Sequence, residues 1–355
     1  MHALTIDGLS KNFAAASGDR IQALDRVSLA IGAGELVAVL GASGCGKSTL
    51  LRLVAGFETP DSGTIRLGDR LLSGPGTHVP PEARKVGIVF QSYALWPHMD
   101  VAGNVGYALA VAGHAKAIQR TRVAAALESV DLAGFETRKP AELSGGQRQR
   151  VALARCLAMD PDLVLLDEPL ANLDIHLRAS MLESFAAFHA KTKAAMLYVT
   201  HDQAEAMALA DRIAVLEAGR LLQFADPRTL YREPDNAAVA RFVGRGMVLD
   251  AHMATNEGGV AYAEIFGVSA RVRATPGHAP GACKLVLRAE NLAPNPAGFA
   301  VRVAHAAYIG GGWEIAASPV AEPSTSLRAV LGDGPRPQVG DTLSLAPDDG
   351  WVLPS

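Results

Sequence analysis

LVAVLGASGCGKST, residues 36–49, is the stretch on which the fold turns. Its first five residues form an uninterrupted apolar run of the kind buried in a parallel sheet. The remaining nine satisfy GxxxxGK[ST] through Gly41, Gly46, Lys47 and Ser48, in the strand–loop–helix context that this pattern requires. The glycines let consecutive backbone N–H groups turn inward around an anion, along a path that a Cβ would obstruct. The helix that follows presents its positive end to the same anion. Lys47 is suited to neutralising β- and γ-phosphate charge, and the Ser48 hydroxyl to ligating magnesium. Residues 41–49 therefore read as a cradle for a nucleoside triphosphate, with Gly41, Ser43, Gly44, Cys45, Gly46, Lys47, Ser48 and Thr49 as its members. The Cys45 side chain is incidental to that role, although its oxidation would obstruct ATP.

Outward from the cradle, residues 87–90 and 213–216 and the runs Leu163–Asp167 and Met196–Thr200 are further compact apolar segments. Between them, residues 144–159 set Val151, Ala154, Leu157 and Ala158 at helical spacings. Strands alternating with helices predict an α/β layered domain. Beyond residue 240 the density of Gly and Pro nearly doubles, and short β runs such as 284–288 and 300–304 lie between turns. The expected organisation is an α/β domain over residues 1–240 and a small β-rich barrel or sandwich over 241–355. The chain of 355 residues carries a formal charge of -3, so no global positive field invites nucleic acid. Its three cysteines are far apart in sequence, which excludes a disulfide framework and a cysteine-rich zinc site. Asp7 stands where the apolar core of a secretory signal would lie, and no window reaches the ~18–20 apolar residues of a membrane span.

DLVLLDEP, residues 162–169, ends a buried strand in two adjacent acids. Successive strand residues point to opposite faces, so Asp167 and Glu168 divide their work if the strand ends between them. Asp167, beside the cradle, suits a magnesium shell, and Glu168 can face an attacking water. LSGGQ, residues 143–147, adds a second anion site: Ser144 caps a helix while Gly145 and Gly146 expose its first N–H groups and Gln147 closes the motif. One nucleotide cannot easily use both sites of a single protomer, which hints at a phosphate shared between two copies.

With these motifs in this order, residues 1–240 resemble the ATP-binding subunits of ABC transporters: a P-loop ATPase domain with a helical subdomain. The resemblance implies an ATPase that works as a head-to-tail dimer with ATP in the seam. It further implies that Phe13 stacks on adenine, that Gln91 touches magnesium and senses a membrane partner, that Asp174 in LANLD lines the dimer seam, and that His201 contacts the γ-phosphate. The stretch 92–109 is similar to the surface that receives a permease, with Tyr93, Trp96, Pro97 and Met99 expected to be exposed near Gln91. The tail, with RGMVL at 245–249, LRAENL at 287–292 (Ala289 standing where a proline is usual) and YIGGGWE at 308–314, is similar to the accessory OB-like β domain of importers. Those importers carry ferric ion, polyamines, sulfate, phosphonates or sugars. Ferric ion or another small ion, a phosphonate or a polyamine is the expected solute, carried by an extracytoplasmic binding protein and a separate permease. The chain itself is expected at the cytoplasmic face of the cell membrane. The alternative is a cytosolic ABC ATPase acting on ribosomes or DNA, a class that tends to carry two cassettes or long coiled-coil insertions.

Overall fold

The computed structural model describes residues 2–14, 20–171 and 175–354. They form two compact units, Met1–Pro227 and Arg228–Ser355. The first unit opens with β1 (His2–Ala14), β2 (Arg20–Gly32) and β3 (Leu36–Leu40), followed by α1 (Lys47–Ala55). Four strands come next: β4 (Ser62–Leu67), β5 (Arg70–Gly74), β6 (Thr77–His78) and β7 (Val86–Val89). A helical stretch holds α2 (Val101–Val111), α3 (Lys116–Ser129) and α4 (Gly145–Leu157). The unit ends with β8 (Leu163–Asp167), α5 (Ile175–Thr192), β9 (Met196–Thr200), α6 (Gln203–Leu209), β10 (Arg212–Glu217) and β11 (Arg220–Ala225).

Two sheets organise this unit. One has the order β11-β10-β3-β9-β8-β7, and the other, antiparallel, the order β2-β1-β4-β5-β6. All five residues of β3 and of β9 are buried, as continuous apolar runs in a covered parallel sheet should be. A single core cluster joins Leu4, Ile6 and Val27 of the antiparallel sheet, Leu50, Leu53 and Val54 of α1, and Leu165, Leu197 and Val199 of the parallel sheet. Helix α1 is therefore clasped between two sheets, which fixes the direction of its N-terminus. Helices α2, α3 and α4 pack on one another as a separate helical layer. Among the described residues no helix is long and apolar enough to cross a membrane.

An arginine secures the other end of α1. Arg84 is completely buried, with no carboxylate against it among the described residues. Its Nη1 donates to Leu53 O (2.8 Å) and Val54 O (2.9 Å), its Nε to Val79 O (2.7 Å), and its Nη2 to Ser73 Oγ (2.8 Å). The cation thus sits on the negative end of the helix dipole, solvated by carbonyls rather than by a counter-ion. Burial pulls its pKa down to about 10, which leaves it charged at neutral pH.

The second unit begins with α7 (Pro227–Arg232) and α8 (Ala237–Phe242) and continues as strands only. These are β12 (Met247–Glu257), β13 (Val260–Ile265), β14 (Val268–Arg273), β15 (Gly281–Leu287), β16 (Leu292–Tyr308), β17 (Gly312–Pro319), β18 (Leu327–Gly332), β19 (Thr342–Pro347) and β20 (Trp351–Val352). A closed barrel, β12-β13-β14-β20-β15, adjoins a four-stranded sheet, β18-β17-β16-β19, over one shared core. In β13 exposed and buried residues alternate without exception, the pattern of a strand with one wet face. The boundary by packing falls after Pro227, earlier than the compositional one, because α7 and α8 are bonded to the barrel. Trp351 Nε1 donates to Pro234 O (3.0 Å), and Arg288 donates to Ala240 O (2.9 Å) and Tyr231 O (2.6 Å).

Replacing Arg84 by Met removes four hydrogen bonds at a buried site and is expected to destabilise the chain by about 3 kcal/mol. Thermal unfolding followed by circular dichroism should show a Tm lower by about 6–12 °C.

Candidate nucleotide site

Parallel pairing sets the geometry. Leu40 lies opposite Thr200, Val199 opposite Asp167, and Leu166 opposite Val89, so β3, β9, β8 and β7 all end at the same edge. The segments that leave this edge carry the cradle, His201, Glu168 and Gln91 respectively. Loops at the carboxyl ends of parallel strands are where such sheets bind ligands.

The cradle is built around two glycines that admit no side chain. A Cβ on Gly41 would collide with Leu216 O and Cys45 Sγ. Gly46 has φ 111°, and a Cβ there would lie 2.5 Å from Ala23 O of β2. No side chain caps α1 and its first turn carries no acid, so its N-terminal N–H groups keep their capacity for an outside acceptor. Lys47 is buried and its Nζ is tethered to Gly41 O (2.7 Å) and Ala42 O (3.0 Å). A buried ammonium held only by carbonyls, beside an uncapped helix, fits a polyphosphate. Cys45 packs into the core, and burial pushes its thiol up. Ser43 and Gly44 lie exposed on the loop, with Ser48 exposed and Thr49 half-buried on the first turn.

Strand β8 ends at Asp167, and Glu168 turns away with φ 43°, a left-handed conformation that costs a non-glycine residue energy and recurs at functional sites. Its N–H bonds to Val199 O at 2.9 Å, which pins the turn to β9. The Asp167 carboxyl is held above the ordinary range, first by burial and then by the neighbouring charge of Glu168, against the opposing pull of Arg52 and Lys47. Two adjacent carboxylates with incomplete compensation fit a divalent cation. Among the described residues no group of three His, Cys, Asp or Glu could hold a metal. Magnesium needs only one or two protein groups and completes its shell with phosphate oxygens and water. His201 Nδ1 lies 3.2 Å from Glu168 Oε1, so the ends of β8 and β9 meet side chain to side chain.

Gln91 is exposed just past β7. Ser144 is exposed at the start of α4, where its hydroxyl accepts from Gln147 N (3.3 Å) while Gln147 Oε1 accepts from Ser144 N (2.9 Å), a complete capping box. Gly146 lies against Met181 of α5 and Gly145 is half-buried. Among the described residues no hydrogen bond or ion pair joins residues 144–147 to the cradle. Phe13 sits half-buried in β1 opposite Ile21 of β2, with Lys11 Nζ 5.2 Å from its ring centre. Asp174 lies outside the described residues.

One expectation is corrected. Tyr93 is buried, only 8% exposed, because the chain after Gln91 folds back against α4; Pro97 is exposed, and Trp96 and Met99 are half-buried. Two other aromatic pairs form instead: Phe57 with Phe90, ring centres 6.4 Å apart, and Tyr107 with Trp96, 4.4 Å apart. Phe57, Phe90 and Tyr107 are all exposed.

Sequence reasoning missed the residues that frame His201 and Glu168. Glu205 is buried and accepts from Tyr198 Oη (2.8 Å) and Thr200 Oγ1 (2.7 Å), while Arg178 of α5 donates to Asp202 (2.8 Å). DQAE at 202–205 signals a helix N-terminus. Asp202 does cap α6, but the Glu205 carboxylate turns inward to the end of β9. Gln149, fully buried in α4, donates to Pro169 O at 3.0 Å and so ties α4 to the Glu168 turn.

Comparison with known proteins agrees with this geometry. The ABC transporter family model matches residues 24–171. The Fe(3+) ions import ATP-binding protein FbpC 3 of Rhodococcus jostii is 41% identical over 340 residues, covering 95% of this chain and 90% of that protein. The spermidine/putrescine import ATP-binding protein PotA of Pseudomonas aeruginosa is 45% identical over 301 residues, covering 81% of each. Among solved structures, a dimeric post-hydrolysis state of the ATP-binding cassette MJ0796 bound to ADP and Pi superposes with TM-score 0.55 at 28% identity, over 63% of this chain and 99% of that one.

Because the folded state raises the pKa of Asp167, its ionised form opposes folding above that pKa, and the opposition fades as the carboxyl protonates. Asp167→Asn should therefore raise the Tm of the nucleotide-free chain at pH 7 by about 2 °C. The difference from the wild type should shrink as pH falls through the carboxylate range, measured by thermal unfolding in EDTA.

Proposed function

Because the chain belongs to the ATP-binding subunits of ABC importers, and is by that membership an ATPase, we propose that it powers ferric-ion uptake through a separate membrane permease, from the cytoplasmic face of the membrane. The observation that carries the ATPase part is the convergence of the cradle, Asp167, Glu168 and His201 on one sheet edge, with Glu168 and His201 in contact. The N–H groups of residues 41–49 and Lys47 bind and orient the β- and γ-phosphates. Glu168, turned out of the strand, holds the attacking water and takes up its proton. His201, beside it, faces the γ-phosphate. Phe13 offers its ring to adenine. Ser48, Gln91 and Asp167 are the residues to hold magnesium, which when bound neutralises the charge developing on the phosphate oxygens.

Residues 144–147 are a second helix N-terminus, whose capping box takes up the N–H groups of Ser144 and Gln147, and among the described residues it has no partner in the cradle of its own chain. We assign them to the nucleotide of a second copy in a head-to-tail dimer, with Asp174 in the seam; the dimeric state of the MJ0796 cassette supports this. The exposed aromatics Phe57 and Phe90, the latter adjoining Gln91 in the chain, support a permease-docking surface, so that loss of the γ-phosphate is felt at the membrane partner. Ferric ion is favoured because the similarity to FbpC 3 extends over 95% of the chain, second unit included. The soluble receptor that would deliver it never needs to touch this subunit.

Glu168→Gln should bind ATP with near-normal affinity, lose about 100-fold or more in turnover, and accumulate as a dimer in ATP by size-exclusion chromatography. Unchanged turnover would remove Glu168 from its role. For the solute, cells lacking this chain should lose uptake of radiolabelled Fe(III), and Lys47→Ala should fail to restore it. Intact iron uptake with lost spermidine uptake would reassign the importer to polyamines.

A further inference from the structure

The segment after Gln91 is held in a conformation that its own residues disfavour. Tyr93 and Ala94 are consecutive non-glycine residues with φ 60° and 46°. Each places its Cβ against the following carbonyl, an arrangement that L-residues avoid singly and almost never adopt in succession. The Tyr93 side chain adds to the cost: its hydroxyl is buried without a hydrogen-bond partner among the described residues. Something outside the segment must hold it.

That restraint comes from α4. Arg155, two residues from the C-terminal end of that helix, donates from Nη1 to Ala94 O at 2.6 Å and from Nη2 to Tyr93 O at 2.8 Å. The planar fork of a guanidinium matches two successive carbonyls, which the single ammonium of lysine cannot do. Its carbon lies 5.1 Å from the centre of the Trp96 ring, which rests on Tyr107 of α2. On the far side, Asn104 of α2 accepts from Trp96 N (2.8 Å) and donates to Trp96 O (3.1 Å). The segment is thus fastened at both ends, and the strained pair lies on the side nearer Gln91.

We propose that Arg155 is a positioning residue: it holds the strained turn at 93–94 so that Gln91 keeps a set relation to α4, the helix whose other end carries Ser144. The inference rests on the roles given above to Gln91 and to residues 144–147. Any movement of α4 is then passed by the guanidinium to the loop at the end of β7, and release of the fork lets the turn relax to right-handed backbone. Arg155 touches neither nucleotide nor metal; it acts through Gln91.

The test uses the full chain, steady-state ATPase kinetics and 19F spectra of 5-fluorotryptophan-labelled protein, whose three tryptophans are distinguished by loss of one signal in Trp96→Phe. Arg155→Met should lower kcat by about 10- to 100-fold. KM for ATP should stay within about threefold, since the cradle is untouched. The Trp96 resonance should move. Adding Ala94→Gly, which lets one left-handed residue form without strain, should recover part of the lost kcat. Arg155→Lys, which keeps the charge and most of the stem, should fall between, and it carries the test if the methionine variant does not fold. Turnover within about twofold of wild type together with an unmoved Trp96 resonance would overturn the proposal. Gln91→Ala separates the two readings. If that variant keeps full turnover, the role of Gln91 fails, and the clamp is judged by the resonance alone: a shift sustains it and a fixed signal refutes it.

Discussion

Parallel hydrogen bonding between β3, β9, β8 and β7 is the constraint on which the rest depends. An antiparallel arrangement would send alternate strand ends to opposite edges. The parallel one delivers four successive exits to a single edge, and each exit can then carry one piece of a site. Leu40 pairs with Thr200, Val199 with Asp167 and Leu166 with Val89, so a slip of one residue in this ladder would move Glu168 away from His201. The continuous burial of β3 and β9 makes such a slip costly, which is why the edge can hold side chains to within hydrogen-bonding distance.

The second theme is the treatment of charge where water is excluded. Arg84 and Lys47 are both buried, and carbonyl groups solvate both. Arg84 has four acceptors and is a structural joint at the C-terminal end of α1. Lys47 has only two, beside helix N–H groups that no side chain caps. Asp167 is in the reverse position, an acid raised by burial and by a like charge. The same helix thus has one end closed by the protein and one end that no side chain caps.

The second unit reaches stability by a separate route. Its barrel removes sheet edges by closure, and the four-stranded sheet shares its core. Arg288, buried and bonded to Ala240 and Tyr231, plays there the part that Arg84 plays in the first unit, holding helical segments by their carbonyls. Two unrelated folds in one chain use the same device, an arginine that solvates helix ends from within.

The sequence by itself determined the strands Leu36–Leu40, Leu163–Asp167 and Met196–Thr200, the cradle, the break between Asp167 and Glu168, and the capped start of α4. Each is a local matter: an unbroken apolar run, a glycine where no Cβ fits, a serine three residues before a glutamine. The two-unit organisation was legible from composition, although the last helices before residue 243 join the barrel through contacts that composition does not record. Only the tertiary structure decided that Tyr93 is buried rather than exposed, that Phe57 and Phe90 meet on the surface, and that Glu205 serves β9 instead of its own helix. Arg84, Arg155 and Gln149 were equally hidden. A buried polar side chain is defined by which distant carbonyls it reaches, and those partners lie 31, 61 and 20 residues away in sequence. Spacing along a chain reports the face a residue occupies, whereas the acceptors it must satisfy are chosen only when the layers close.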